Sequence, residues 1–216
     1  MRALLLDALG TVVELEPPAP HLRSELLRRL DVRVTLAEAE RAIAAEIAYY
    51  RGHLDEGRDE ASLAALRGRC VEVLRAALPG QPRGDLLEVL LASLRFKLFA
   101  DAAPAVAAAR ASGIRVVIVS NWDVSLHGVL DRLGLIADAV VTSAQAGARK
   151  PSPEIFLWAL AGVRPADALH VGDSVDEDVA GARAAGIEPV LLARDGRPGP
   201  PGVRTIATLT EVTKLA

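Results

Sequence analysis

The chain has 216 residues, of which 51% are hydrophobic, enough to bury a substantial core, but aromatics are only 3%, so that core must be mainly Leu, Val and Ala. A formal charge of -3 gives no electrostatic reason to expect nucleic acid as a partner. The single cysteine, Cys70, excludes an intramolecular disulfide and a thiolate metal cluster, and no apolar run reaches membrane-spanning length. The amino terminus lacks a basic region followed by a cleavable apolar segment, because Asp7 interrupts the apolar run. The expectation is a cytoplasmic protein with no membrane association, and nothing in the sequence speaks to oligomeric state.

Ala3-Leu4-Leu5-Leu6 reads as a buried strand ending on a carboxylate, Asp7, and then a Gly10-Thr11 turn. Residues 19 to 96 are mostly helical in pattern. His21 to Leu30 is amphipathic. Thr35 and Glu38 have the spacing of a capping box, opening a helix that runs past Tyr50. Ser62 to Leu78 keeps helical spacing until Pro79-Gly80, and Asp85 to Leu94 is a further helix.

Beyond this block the pattern alternates. Helices are expected at Ala103–Ser112, Val124–Leu133, Pro153–Gly162 and Asp176–Ala185. Between and after them lie strands at Ile114–Val119, Ala139–Thr142, Ala168–Val171 and Pro189–Leu192, and then a Gly/Pro-rich loop at Arg194–Gly202. Strands alternating with helices predict a parallel sheet covered on both faces. The strand at residues 3 to 6 belongs to that sheet, so the helical block is an insertion.

Polar residues gather at four strand ends: Asp7; Ser120-Asn121-Trp122-Asp123; Arg149-Lys150-Pro151; and Gly172-Asp173-Ser174 with Asp178. In a parallel sheet these ends share the carboxyl edge, where open α/β sheets bind ligands. A carboxylate nucleophile, a hydroxyl, a cation and further carboxylates are what phosphoryl transfer through an aspartyl intermediate with a divalent metal requires. Each has a structural alternative. Asp7, Asp173 and Asp178 could be helix-start acids, Ser120 a turn residue and Lys150 a solvated cation. Trp122 is either a packing or a substrate-facing residue, and Asp123 either a helix cap or part of the site.

In order and spacing these segments resemble the four motifs of the haloacid dehalogenase superfamily, over residues 1–13 and 98–195. The run His170-Val171-Gly172-Asp173-Ser174-Val175-Asp176-Glu177-Asp178 and the run Arg149-Lys150-Pro151-Ser152-Pro153-Glu154 are especially characteristic. The resemblance implies a Rossmann-like α/β core of residues 1–15 and 98–216, with strand order 3-2-1-4-5, and an inserted helical cap of residues 16–97. The stretch between the second and third motifs is too short for the family's other cap type.

By position, Asp7 resembles the nucleophile, and Ser120 and the Asn121 amide the phosphate-holding pair. Lys150 resembles the charge-neutralising cation. Asp7, Asp173 and the backbone carbonyl of Leu9 resemble the ligands of a Mg²⁺ ion. Thr11 and Asp178 would support them, Asp178 by orienting Lys150 or binding a metal-bound water.

One position departs from the pattern. Family phosphatases carry an acid where this chain has Leu9, and that acid protonates the leaving oxygen and then deprotonates the attacking water. Three readings follow. The first is a metal-dependent phosphatase of a small phosphorylated metabolite, favouring good leaving groups such as acyl or aryl phosphates. A proton could also come from Glu14, Glu16, His21, Tyr49, Tyr50 or His53. The second is a slow or inactive relative that binds a phosphorylated ligand or a protein partner. The third is a 2-haloacid dehalogenase. Halide needs no proton, but the dehalogenases replace the acid at the Asp173 position and use no metal. Phosphonate-aldehyde hydrolysis needs an imine-forming lysine in the cap, and residues 12 to 96 contain none.

Overall fold

The computed structural model describes residues 1–214. These divide into two compact units. One comprises Met1–Glu14 and the chain from Leu98 onward, and the other is Leu15–Lys97.

The first unit is built on six parallel strands: β1 (Ala3–Leu6), β4 (Arg115–Ser120), β5 (Ala139–Thr142), β6 (Ala168–Gly172), β7 (Glu188–Leu192) and β8 (Arg204–Ile206). Their spatial order is β5-β4-β1-β6-β7-β8. This is the expected 3-2-1-4-5 arrangement with one further edge strand. All four residues of β1 are buried, as are five of six in β4, because central parallel strands are covered on both faces. In the register, Leu6 lies opposite Ile118 on one side and Val171 on the other. Asp7 therefore emerges at the carboxyl edge level with Val119 and Gly172, one step before Ser120 and Asp173.

Helices α8 (Pro153–Leu160) and α9 (Ala180–Ala184) cover one face. Ile155, Phe156 and Ala182 pack there against Leu5, Val117 and Val119. Helix α5 (Ala102–Ala111) packs against β4, and α6 (Leu126–Leu133) against β5. Glycine is required where α9 meets α8, since a Cβ at Gly181 would overlap the Phe156 ring.

Several elements differ from expectation. The helix expected from Asp176 begins instead as a wide π turn, Val175–Val179, in which the Asp178 and Val179 amides both donate to the Ser174 carbonyl. Helix α6 starts two residues late because Asp123 accepts the Ser125 N–H at 2.6 Å and closes a turn first. The short elements β8, α7 (Ser143–Ala146) and the 3₁₀ turn at Leu209–Lys214 have too few residues to show a period.

The second unit packs α1 (Pro18–Leu30), α2 (Leu36–His53), α3 (Glu60–Ala77) and α4 (Leu86–Ser93). Leu22, Leu26, Ile43, Leu66, Leu74 and Leu90 are central to its core. The Thr35/Glu38 capping box is present, and Asp59 with Ser62 forms a second at α3, two residues upstream of the expected start. The core also takes in Glu46, a carboxylate only 3% exposed. At the two crossings between units, β2 (Val13–Leu15) and β3 (Phe96–Leu98) form a separate two-stranded ribbon.

Candidate active site

Asp7 leaves β1 with its N–H still donating to the Val171 carbonyl at 2.9 Å, so the sheet itself sets its backbone. The chain then turns within Ala8–Val13, where the amides of Thr11, Val12 and Val13 all donate to the Ala8 carbonyl. Gly10 has φ +88, and a Cβ there would overlap the Asp173 carboxylate. A side chain at position 10 is therefore excluded twice, by backbone and by contact.

Lys150 joins the strand ends. Its side chain is 1% exposed, and Nζ donates to Oδ1 of Asp7 at 2.5 Å and to Oδ1 of Asp178 at 2.6 Å. Ser120 Oγ donates to the same Asp7 oxygen at 3.1 Å. Asp178 is held from two further directions, by His170 Nε2 at 2.9 Å and by the Ser174 N–H at 3.0 Å. A carboxylate only accepts, so His170 carries its proton on Nε2. Gly172 makes room for this arrangement, since a Cβ there would overlap the Asp178 side chain.

Asn121 holds the lysine's backbone. Its Oδ1 accepts the Lys150 N–H at 2.7 Å, while Nδ2 donates to the Lys150 carbonyl and to Glu177, both at 3.0 Å. Both side-chain donors are thereby committed. Trp122 is 7% exposed, and its N–H donates to Ser143 Oγ. Asp123 closes the turn before α6 by accepting the Ser125 N–H, while the residue at the helix N-cap is Ser125. Thr11 Oγ1 is buried without a hydrogen-bond partner among the described residues, whereas the Thr11 carbonyl accepts from Arg194. Leu9 is 38% exposed and is not a core residue.

Burial pushes the Asp7 carboxyl up to about 6, against the pull of Lys150. Burial also opposes the charge on Asp178, but Lys150 and His170 outweigh it and hold that carboxyl well below the usual range. Burial would discharge Lys150, but Asp178 and Asp7 prevail and raise its pKa above that of an ordinary lysine. Asp173 is raised by burial and by Asp178. Oxygens of Asp7, Asp173 and Asp178 lie within 4.8 Å of one another. Three carboxylates face one ammonium, so that in their ionised form they leave an excess of negative charge on hard oxygen donors. That donor set fits a divalent cation of the Mg²⁺ type.

The site thus gathers Asp7, Ser120, Asn121, Lys150, Asp173 and Asp178. The possible substitute acids have other engagements. His21 pairs with Glu16 at 3.0 Å, and His53 stacks on Tyr49 at 4.0 Å and bonds its carbonyl. Sequence reasoning gave no role in the site to His170, Glu177 or the loop after β7. A histidine inside an otherwise apolar strand was a legible signal for the first. The other two are brought in by folding alone. That loop, with Arg197 and Pro198, walls a cavity of about 670 Å³ lined opposite by Asp173, Ser174 and Val175. No helix among the described residues is long and apolar enough to cross a membrane.

Residues 1–186 match the family model for haloacid dehalogenase-like hydrolases. The bovine (Bos taurus) haloacid dehalogenase-like hydrolase domain-containing protein 3 is 44% identical over 88 residues, 39% of this chain and 35% of that protein. The chain thus spans about a third of the length of that curated relative. Ribulose-1,5-bisphosphate 5-phosphatase of Halopiger xanaduensis is 33% identical over 157 residues, 67% of this chain and 66% of that protein. Among solved structures, a HAD phosphatase from Thermococcus onnurineus superposes with a TM-score of 0.69 at 27% identity, covering 100% of this chain and 97% of that one. L-2-haloacid dehalogenase from Xanthobacter autotrophicus superposes with 0.69 at 20% identity over 100% and 98%, a likeness of fold. With the family model matched over most of its length, the chain belongs to the haloacid dehalogenase-like hydrolases.

Proposed function

We propose that this hydrolase is a metal-dependent phosphatase acting on a small phosphorylated metabolite, with Asp7 as nucleophile and a preference for good leaving groups. The observation that carries the reading is the carboxylate cluster of Asp7, Asp173 and Asp178 around the buried Lys150 ammonium. A metal-free dehalogenase has no use for Asp173 in that cluster. The matched relatives named as phosphatases, of ribulose bisphosphate, glyceraldehyde 3-phosphate and phosphoserine, support the same class.

Asp7, Asp173 and the Leu9 carbonyl would hold Mg²⁺, which supplies charge neutralisation between the nucleophile and the incoming phosphate. An Asp7 oxygen attacks phosphorus, the bond from phosphorus to the leaving oxygen breaks, and the leaving group departs with the electron pair. Lys150 keeps Asp7 oriented and offsets the charge of the phosphoryl group. Ser120 Oγ and the Asn121 N–H receive the phosphoryl oxygens. Water then attacks the Asp7 phosphoryl group and releases phosphate, regenerating the carboxylate. Leu9 neither donates nor accepts a proton, so leaving groups stable as anions, such as carboxylates and phenolates, suffer least. The unit Leu15–Lys97 would act as the cap that selects the substrate.

The test is turnover of acetyl phosphate and p-nitrophenyl phosphate with Mg²⁺ by the parent chain and by Asp7→Asn. Release of phosphate that vanishes in Asp7→Asn supports the reading. No Asp7-dependent turnover of either would move the assignment to a binding protein.

A further inference from the structure

The loop Arg194–Gly202 follows β7 and reads in sequence as a plain Gly/Pro connection. In the structure it carries two arginines that reach back to the sheet's carboxyl edge. Arg194 forms a two-pronged pair with Asp101, Nη1 to Oδ2 at 3.0 Å and Nη2 to Oδ1 at 2.9 Å. The same Nη2 donates to the Thr11 carbonyl at 2.8 Å. Its guanidinium lies 3.8 Å over the Phe99 ring, and the Phe99 N–H in turn holds the Val12 carbonyl at 3.1 Å. Asp101 is itself fixed by the Leu209 N–H at 2.8 Å. Three residues further on, Arg197 Nη2 donates to the Asp173 carbonyl at 3.1 Å.

The loop is anchored at its far end as well. Arg183 donates to the Gly202 carbonyl at 3.1 Å, and a Cβ at Gly199 would overlap Thr205 on β8. One segment therefore grips both backbone stretches that present the candidate metal ligands: the turn holding Leu9 and the strand end holding Asp173.

The geometry points to Arg194 and Arg197 as positioning residues for the metal cradle, acting through the Thr11 and Asp173 carbonyls rather than by touching substrate. This rests on the reading of Asp7, Asp173 and the Leu9 carbonyl as ligands. Charge alone makes the opposite prediction, which gives the inference a testable sign. An arginine near a cation site repels the cation, so its removal should tighten binding if it served only as a nearby charge. Removal of a residue that orients ligands should weaken binding, typically by roughly 10-fold or more.

The experiment measures Mn²⁺ affinity of the full chain by calorimetry for the parent, Arg194→Met, Arg197→Met and Arg197→Lys. Arg110→Met serves as a control that removes a surface pair with Asp138 in the same unit. The expected result is a dissociation constant raised roughly 10-fold in both Met variants and raised in Arg197→Lys, with the control unmoved. A constant unchanged or lowered in the Met variants overturns the inference. Arg197 is half-exposed, so its variants stay informative if Arg194→Met fails to fold.

Amide hydrogen exchange of the metal-free protein reads the same clamp without the metal. Faster exchange at Thr11, Val12 and Val13 is expected in Arg194→Met, and at Ser174 in Arg197→Met. If the parent binds no Mn²⁺ while those amides loosen, the metal reading fails and the clamp stands. If the amides are unmoved, the clamp fails whatever the metal does.

Discussion

Nζ of Lys150 lies 2.5 Å from Oδ1 of Asp7, and the lysine side chain is 1% exposed. An ammonium so deeply buried exists only because carboxylates surround it. Removing it leaves Asp7 and Asp178 buried without a counter-charge. Lys150→Met should therefore abolish turnover and also cost stability, about 3 kcal/mol or more. Urea unfolding at neutral pH checks the second point. A midpoint equal to that of the parent would mean that the cluster is not closed as described.

Leu9 is 38% exposed, so a polar side chain fits there without disturbing the core. Leu9→Asp should leave stability within about 0.5 kcal/mol of the parent, as at most surface positions. It should raise hydrolysis of alkyl phosphates by about 10²-fold, the low end of general acid–base help. Acetyl phosphate should gain much less. Equal gains on both substrates, or none on either, would show that the missing acid does not set the leaving-group preference.

Gly10→Ala should lose both metal affinity and activity. Its φ of +88 disfavours an L side chain, and the added Cβ would displace the Asp173 carboxylate. Gly113 also has positive φ, +75, but a Cβ there meets nothing, so Gly113→Ala is the matched control for backbone strain alone. Mn²⁺ titration of the two variants separates strain from ligand displacement. A Gly10→Ala protein that binds Mn²⁺ as Gly113→Ala does would remove Asp173 from the cradle.

The buried Glu46 predicts a pH dependence of stability. Burial pushes its carboxyl from 4.5 up to about 7, with a hydrogen bond from Cys70 opposing part of the shift. The folded pKa is above the unfolded one, so the contribution is fully present below pH 4.5 and is lost as pH rises through about 7. The loss across that window is about 3 kcal/mol. Glu46→Gln carries no such charge and should be more stable than the parent at pH 8, with little difference at pH 4.5. Denaturant midpoints at the two pH values test this. A parallel pH slope in both proteins would place the titrating group elsewhere.

Much of this molecule is determined by local sequence. The runs Ala3–Leu6 and Arg115–Ser120 announce central parallel strands because both faces must be apolar. Thr35 and Glu38 announce a helix start because a capping box closes within four residues. The placement of Asp7, Ser120 and Asp173 at strand ends and of Lys150 in the connection beyond β5, and the absence of an acid at position 9, could likewise be read directly from the sequence.

Tertiary structure alone decided how those groups are shared. Asp178 serves Lys150, His170 and the Ser174 amide at once, and Asn121 spends its side chain on Lys150 and Glu177. Arg194 closes on a carbonyl 183 residues away in the chain. Glu46 reads as an ordinary helical polar residue until the neighbouring helices bury it. Periodicity and caps are short-range and survive in a linear string. Hydrogen-bond allocation and desolvation depend on which distant backbone arrives beside a side chain, and only the folded chain brings them together.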